Sequence, residues 1–374
     1  MSRVLFAGGG TGGHLYPALA LADAMQSERR DVEVEFVGAR RGVEASVLPR
    51  RGVPHTLLPM EPIYRSRPWR NWRLVPAVAR SAAAMAALFR RYRPQLVVGT
   101  GGYASAPACL WAVTKRVPMA LQEQNAQPGA TTRLFARFAR QVHLGFPEAE
   151  KHIRPGRRTR VFALGNPIRP PDTTLDWLTC RESFGLGRSS TVVLVVGGSQ
   201  GARAVNETVM SALEQVAAGR LTRPAGLELL WATGPANFEA LHDRLDRIDA
   251  RTWAHIVSYI DDMPRALAAS DIAISRAGAM MTAELLAWGI PSLLVPLPTA
   301  AAHHQMRNAR ALEAAGAAVC LDESSLTPEI LWHELSALAG HEGKRARMNQ
   351  AATRRARPDA ALAIARELLT LVDA

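Results

Sequence analysis

The chain has 374 residues, 48% hydrophobic and 21% charged, the balance of a soluble globular protein long enough for two domains with separate cores. No run of about 18 uninterrupted apolar residues occurs, which argues against a spanning helix. The net charge of +12 is uneven, with 25 Lys/Arg against 10 Asp/Glu in residues 1–165 and 20 against 23 in residues 166–374, so the first half suits a phosphorylated substrate, an anionic lipid surface or a nucleic acid.

Short β-branched runs alternate with helix-like stretches from the first residues onward. The first predicted strand, residues 4–7, runs into "GGGTGGH", where Gly8, Gly10 and Gly13 fit G-x-G-x-x-G. A chain opening on a strand and a glycine loop leaves no room for a signal peptide. Cys109, Cys180 and Cys320 lie far apart without C-x-x-C, which suits a reducing cytosol and argues against a disulfide framework or a cysteine zinc site. Further strands are predicted over 32–37, 95–99, 117–122 and 161–164. Between them, residues 72–94 predict a helix with Leu74, Val75, Val78, Ala82, Met85 and Phe89 on one stripe. Arg67, Arg70, Arg73, Arg80, Arg90 and Arg91 crowd that segment.

"GNPIRPPDTT", residues 165–174, breaks the pattern and predicts a linker. The opening theme then returns: a strand over 191–196 and a second glycine loop with Gly197, Gly198 and Gly201, which do not make G-x-G-x-x-G. Strands are predicted over 227–232, 255–259, 271–275 and 292–295. The expected class is α/β, with two Rossmann-like parallel-sheet domains, 1–165 and 166–356, facing across a cleft. Ligands of such sheets bind beyond the carboxyl ends of the strands, and two crevices suggest two substrates.

A lone G-x-G-x-x-G is weak evidence for a dinucleotide. The acid expected at the end of the second strand is absent there: Glu33 and Glu35 lie inside the strand, and Gly38, Arg40 and Arg41 stand at its end. An NADP-dependent oxidoreductase stays open as an alternative; a P-loop is excluded because no Gly-Lys-Ser/Thr follows. In either case the loop offers backbone N–H groups to an anion at a helix N-terminus. His14 ends the loop, where a neutral imidazole can remove a proton near pH 7. The basic half alone would fit a nucleic-acid-binding module, but no such motif accompanies it, and no nucleic acid is expected as a partner.

"GGGTGGHLYPALALA", "GTGGYASAP" (99–107), "QEQNAQPGATTR" (122–133), "GNPIR" (165–169), "GGSQGARAVN", "YIDDM" (259–263), "SRAGAMMTAELLAWGIPSLLVP" (275–296) and "HQMRNA" (304–309) occur in order. Together they resemble the family of MurG-type N-acetylglucosaminyltransferases, which make the lipid-linked disaccharide of bacterial peptidoglycan. The resemblance implies the glycosyltransferase B fold, with a last helix near 357–374 packed back on the first domain. It implies inverting transfer from UDP-N-acetylglucosamine to the C4 hydroxyl of undecaprenyl-pyrophosphoryl-N-acetylmuramoyl-pentapeptide. Another UDP-sugar enzyme of the same fold is the nearest alternative.

By matching motif, the resemblance assigns Glu284 to the ribose hydroxyls, the backbone of Ile260 to uracil, Ser199 to the diphosphate with Arg169 nearby, and Gln305 to sugar hydroxyls. Ala279, Met280, Met281, Thr282, Ala283 and Glu284 open a helix whose N-terminus faces departing UDP. Thr11, Gly12, Gly13 and Asn125 would close over the sugar and acceptor, with Gly101, Gly102 and Tyr103 on the acceptor side; His14, from its position at the loop's end, is the candidate general base, with binding of the acceptor pyrophosphate as its alternative role. The chain departs from the family pattern at Met280 and Met281, at Ala302 and His303, and at Gln122. No D-x-D motif or ligand cluster accompanies the diphosphate site, so neither metal nor cofactor is expected. The resemblance also implies peripheral attachment to the cytoplasmic face of the cell membrane. Its expected contact is residues 65–91, through Leu74, Val75, Val78, Met85 and Phe89 with Arg70, Arg73, Arg80 and Arg90 on anionic lipid. Other cell-wall synthesis proteins are further candidate partners.

Overall fold

The computed structural model describes residues 1–60, 74–198 and 201–373, with side chains 74 and 75 left out. Its contacts divide into two compact units, Met1–Arg169 with Arg357–Ala374, and Pro170–Ala356. The expected contributions of Arg67, Arg70, Arg73, Ser199 and the side chains of Leu74 and Val75 lie outside the described residues.

In the first unit the strands are β1 (Ser2–Gly8), β2 (Val32–Ala39), β3 (His55–Leu58), β4 (Leu96–Gly101), β5 (Met119–Glu123), β6 (Gln141–Leu144) and β7 (Arg160–Phe162). They form one parallel sheet in the order β3-β2-β1-β4-β5-β6-β7. Its helices are α1 (Gly12–Glu28), α2 (Glu44–Arg50), α3 (Leu74–Tyr92), α4 (Ala106–Lys115) and α5 (Ala130–Phe135). The second unit holds α6 (Trp177–Ser183), β8 (Thr191–Val196), α7 (Arg203–Ala217), β9 (Leu227–Ala232), α8 (Phe238–Arg247), β10 (Ala254–Val257), α9 (Met263–Ala268) and β11 (Ile272–Ser275). It continues with α10 (Ala279–Ala287), β12 (Ser292–Leu294), α11 (His304–Ala314), β13 (Ala318–Cys320), α12 (Pro328–Ala339) and α13 (Glu342–Arg355). Its parallel sheet runs β10-β9-β8-β11-β12-β13. The final helix, α14 (Ala360–Val372), belongs to the first unit.

Both strand orders reverse beside the first strand of their sheet, between β1 and β4 and between β8 and β11. That is where doubly wound sheets open a crevice. Alternation along β1 places Val4 and Phe6 on one face and Leu5 and Ala7 on the other, all fully buried, so helices must cover both faces. α1 and α14 cover the first face, where Leu15, Leu19, Ile364 and Leu368 join one core. Gln141 on β6 donates from Nε2 to the Glu367 carbonyl at 3.0 Å and ties α14 to the sheet.

The other face corrects the expectation for residues 72–94. The helix forms, but Met85 (0% exposed) and Phe89 (8%) pack under the sheet with Leu88 rather than facing a membrane. A stripe that covers a sheet cannot also cover lipid. Val78, 58% exposed, and the exposed Arg80 and Arg90 remain on the outer face.

β3, β6 and β13 have no counterpart among the predicted strands. β6 reads Q-V-H-L, and its polar residues are buried rather than solvated. His143 donates one hydrogen bond, from Nε2 to Gln141 Oε1 at 3.1 Å, and stacks on Phe162. Burial, with the Arg160 charge adding to it, pushes the imidazole pKa down to about 3. The unfolded chain therefore takes up a proton near pH 6.5 that the fold refuses. This contribution to stability is present above pH 6.5 and is lost as pH falls toward 3. At pH 5 the loss is about 2 kcal/mol, at 1.36 kcal/mol per unit. Urea unfolding at pH 7 and pH 5 should show His143→Phe losing about 2 kcal/mol less than the parent over that interval.

Candidate functional site

The residues assigned from the motifs fall into two groups, one at the strand ends of each unit. In the first unit, β1 and β4 slip register at Ala7/Gly8, so that Gly8 pairs with Gly101. α1 starts at Gly12, and His14 stands in its first turn. The Thr100 hydroxyl donates to the His14 carbonyl at 2.7 Å, locking that turn to the end of β4. Gly102 has φ +74°, and a Cβ there would meet the Gly9 carbonyl oxygen at 2.2 Å and His14 Cδ2 at 3.1 Å. Only glycine permits this approach. Tyr103 lies over Gly10, where a Cβ would come within 2.8 Å of its ring. Thr11, Gly12, Gly13, His14, Gly101, Gly102 and Tyr103 are thus one cluster.

His14 Nδ1 lies 3.1 Å from the Thr100 carbonyl oxygen and 2.9 Å from Gln124 Oε1. Both are acceptors, so in the neutral imidazole Nδ1 carries the proton and Nε2 keeps a lone pair. Gln124 comes from the E-Q-N stretch that ends β5. Its neighbour Glu123 accepts from the Asn125 and Gly129 amides at 3.1 and 2.9 Å, shaping the N-A-Q-P-G turn that presents Asn125. Gln122, the departure from the family pattern, donates to Asn166 Oδ1 at 3.2 Å, and Asn166 Nδ2 donates to the Gln124 carbonyl at 2.9 Å. The Q-E-Q-N and G-N-P motifs are therefore parts of one buried network. Arg169 follows it as an exposed residue.

The expectation that the first glycine loop presents its whole row of amides to an anion needs correction. Glu44, fully buried at the start of α2, accepts from the Gly10 amide at 2.9 Å and the Ala39 amide at 2.7 Å. A Cβ at Gly9, Gly38 or Gly42 would meet its side chain within 2.3 Å. The protein's own carboxylate occupies the loop, and the amides of Gly12 and Gly13 follow beyond it in the first turn of α1. The same contact weakens the dinucleotide alternative. Glu35 offers no ribose ligand either, because it is buried with Arg91 Nη2 at 2.6 Å and the Thr56 hydroxyl at 3.0 Å.

In the second unit, α10 follows β11 at the switch point. Its sequence A-M-M-T-A-E-L-L-A is rich in helix formers, and Gly278 and Gly289 bracket it. Arg276 anchors the preceding turn through the Val295 carbonyl at 3.1 Å and an ion pair with Glu323. Ala279, Met280 and Met281 form the first turn, where helix amides lack intrahelical acceptors. Thr282 is buried, and its hydroxyl and its amide both donate to the Gly278 carbonyl, at 3.0 and 2.9 Å. Ala283 and Glu284 are half-buried. Burial pushes the Glu284 carboxyl up to about 7, and it has no hydrogen-bond partner among the described residues. Ile260 is buried just after β10. Gln305 Oε1 accepts from the Leu297 amide at 2.9 Å, which fixes the side chain and leaves Nε2 to donate elsewhere. Ala302 and His303, just before it, both hold φ near +52°, a strained pair for non-glycine residues.

Sequence reasoning missed Glu44, Thr100, Glu123, Gln124, Asn166 and Arg276 as parts of the site. Their signal was present, since each except Glu44 lies within or beside a quoted motif. Glu44 serves as the loop's internal anion, so Glu44→Ala should lower the urea unfolding free energy by about 2–4 kcal/mol, as two amides lose a charged partner. A loss below about 0.5 kcal/mol would show that the loop holds its shape without it.

Residues 4–144 match the glycosyltransferase family 28 N-terminal domain, and residues 192–364 match the C-terminal domain of the same family. The UDP-N-acetylglucosamine--N-acetylmuramyl-(pentapeptide) pyrophosphoryl-undecaprenol N-acetylglucosamine transferase of Moorella thermoacetica is 40% identical, over 99% of both chains. The transferase of the same name from Chlorobaculum tepidum is 39% identical over 99% of both. Among solved structures, Acinetobacter baumannii MurG superposes with a TM-score of 0.77 at 26% identity, covering 99% of this chain and 100% of that one. The fold is the two-domain, parallel-sheet architecture of glycosyltransferase B enzymes. With both domains matched and full-length relatives near 40% identity, the chain belongs to glycosyltransferase family 28 and, within it, to the MurG family of N-acetylglucosamine transferases.

Proposed function

We propose that the chain transfers N-acetylglucosamine, with inversion, from UDP-N-acetylglucosamine to the C4 hydroxyl of undecaprenyl-pyrophosphoryl-N-acetylmuramoyl-pentapeptide. The observation that carries this reading is the likeness over 99% of both chains to transferases named for that reaction. The geometry supports roles for the residues. In an in-line displacement the acceptor hydroxyl attacks the anomeric carbon from the face opposite UDP. His14 Nε2 takes the hydroxyl proton, since Nδ1 already holds one. Negative charge gathers on the diphosphate, where the amides of Met280 and Met281, the α10 dipole and Arg169 oppose it. Glu284 accepts from the ribose hydroxyls, Ile260 meets uracil through its backbone, and Gln305 Nε2 donates to a sugar hydroxyl. Thr11, Gly12, Gly13 and Asn125 close on the sugar and acceptor, with Tyr103 beside them.

Attachment to the inner face of the cytoplasmic membrane completes the reading, because the acceptor is lipid-borne. Among the described residues no helix is long and apolar enough to cross a membrane. The outer face of α3 offers Val78 with Arg80 and Arg90, and the neighbouring α4 adds exposed Leu110. Each arginine near an anionic leaflet contributes about 1 kcal/mol.

A radiolabelled transfer assay to the lipid-linked acceptor tests the reaction, and His14→Ala should lower turnover by about 10²–10⁴-fold with little change in donor affinity. Undiminished turnover would remove His14 as the base. For the donor site, ribose hydroxyls favour the charged Glu284 carboxylate. Affinity for UDP-N-acetylglucosamine should therefore rise with pH through about 7, with a proton released on binding below it. Calorimetry in buffers of different ionisation heat should show that proton for the parent and none for Glu284→Gln. Glu284→Ala should bind the donor about 1.5–3 kcal/mol more weakly. Co-sedimentation with vesicles should show salt-sensitive binding that needs anionic lipid and is lost in Arg80→Glu/Arg90→Glu. Equal binding by parent and variant would take this face off the membrane.

A further inference from the structure

We propose that Gln124 is the positioning residue for His14, holding the imidazole in the Nδ1–H form and at one ring orientation so that Nε2 faces the reacting hydroxyl. This rests on the reading of His14 as base. Gln124 is 1% exposed and its amide cannot turn over freely. Its Nε2 donates to the Thr100 carbonyl at 2.8 Å and to the Gln122 carbonyl at 3.1 Å. Flipping the amide would set its oxygen against both carbonyls and its NH2 against the Nδ1 proton. The orientation that satisfies the carbonyls is the one that aims Oε1 at Nδ1, 2.9 Å away.

The hold is reinforced from behind. Asn166 Nδ2 donates to the Gln124 backbone carbonyl, and Gln122 Nε2 donates to Asn166 Oδ1, so the segment bearing Gln124 is tied to the end of the first unit's sheet. Thr100 completes the clamp, accepting from Nδ1 through its carbonyl and donating through its hydroxyl to the His14 backbone. Thr100, Gln122, Gln124 and Asn166 are all buried, and a connected buried network favours one arrangement. The imidazole thus reaches the reaction with its tautomer already selected, as a second group does for ligand or base histidines generally.

The test joins spectroscopy to kinetics. In 15N-histidine protein at a pH where the imidazole is neutral, the His14 signals, assigned by their absence in His14→Ala, should show the proton on Nδ1 and an unprotonated Nε2. In Gln124→Leu the two nitrogens should move toward averaged values, while kcat falls about 10–100-fold and the KM for both substrates stays near the parent's. A parent spectrum with the proton on Nε2, or a folded Gln124→Leu with the parent's spectrum and kcat, overturns the proposal. The parent spectrum alone decides the tautomer if Gln124→Leu fails to fold. Full activity in His14→Ala would instead strike down the base reading, and the spectrum would still report whether Gln124 orients the ring.

Discussion

The shape of the first unit's site depends on a carboxylate under a glycine loop. Glu44 accepts from amides of the loop after β1 and of the end of β2, and so ties the loop to the neighbouring strand end. Three glycines make room for it, at Gly9, Gly38 and Gly42. Where the loop leaves that carboxylate, α1 begins, and where α1 begins sets the position of His14. A buried charge is tolerable because both oxygens are hydrogen-bonded, and removing it would strand the donors it serves. A loop that resembles a dinucleotide cradle has been given an internal anion, which leaves the following turn for other work.

From that turn the site grows by contacts between distant segments. His14, Thr100, Gln124 and Asn166 come from four places in the first unit, and each supplies a donor where the next needs one. The second unit solves a different problem with its own sheet of the same kind. There the strand end feeds a helix whose first turn bears no side-chain hydroxyl toward a ligand, since Thr282 bonds its own helix. In the proposed donor site, charge stabilisation would fall to backbone amides and the helix dipole, with the half-buried Glu284 as the acceptor. The desolvation that raises this carboxyl also strengthens any hydrogen bond it later accepts.

The peripheral surfaces follow from the core. α3 turns Met85, Leu88 and Phe89 inward because β1 and β4 present an apolar face that must be covered. Only its outer side is free to carry basic residues. α14 closes the opposite face and returns the chain's end to the first unit, held by Gln141 and by Arg366 with Glu28 at 2.8 Å.

The sequence by itself determined the class of fold, the two glycine loops, most strands and the family. These depend on local patterns: short β-branched runs between helix-like stretches, glycines where the backbone must approach closely, and motifs a few residues long. Strands with buried polar residues, such as Q-V-H-L at β6, were illegible because a partner on α14 more than 200 residues away makes their burial tolerable. Which stripe of α3 is core was equally undecided, since an apolar face covers a sheet or lipid with the same spacing. Glu44 lies in none of the motifs, and Gln124 is one residue within Q-E-Q-N. Only the tertiary structure brought Glu44 beneath Gly10 and Gln124 against His14, 110 positions apart. Hydrogen bonds between segments that distant leave no periodicity in the chain, so their partners become visible only when the strands are laid side by side.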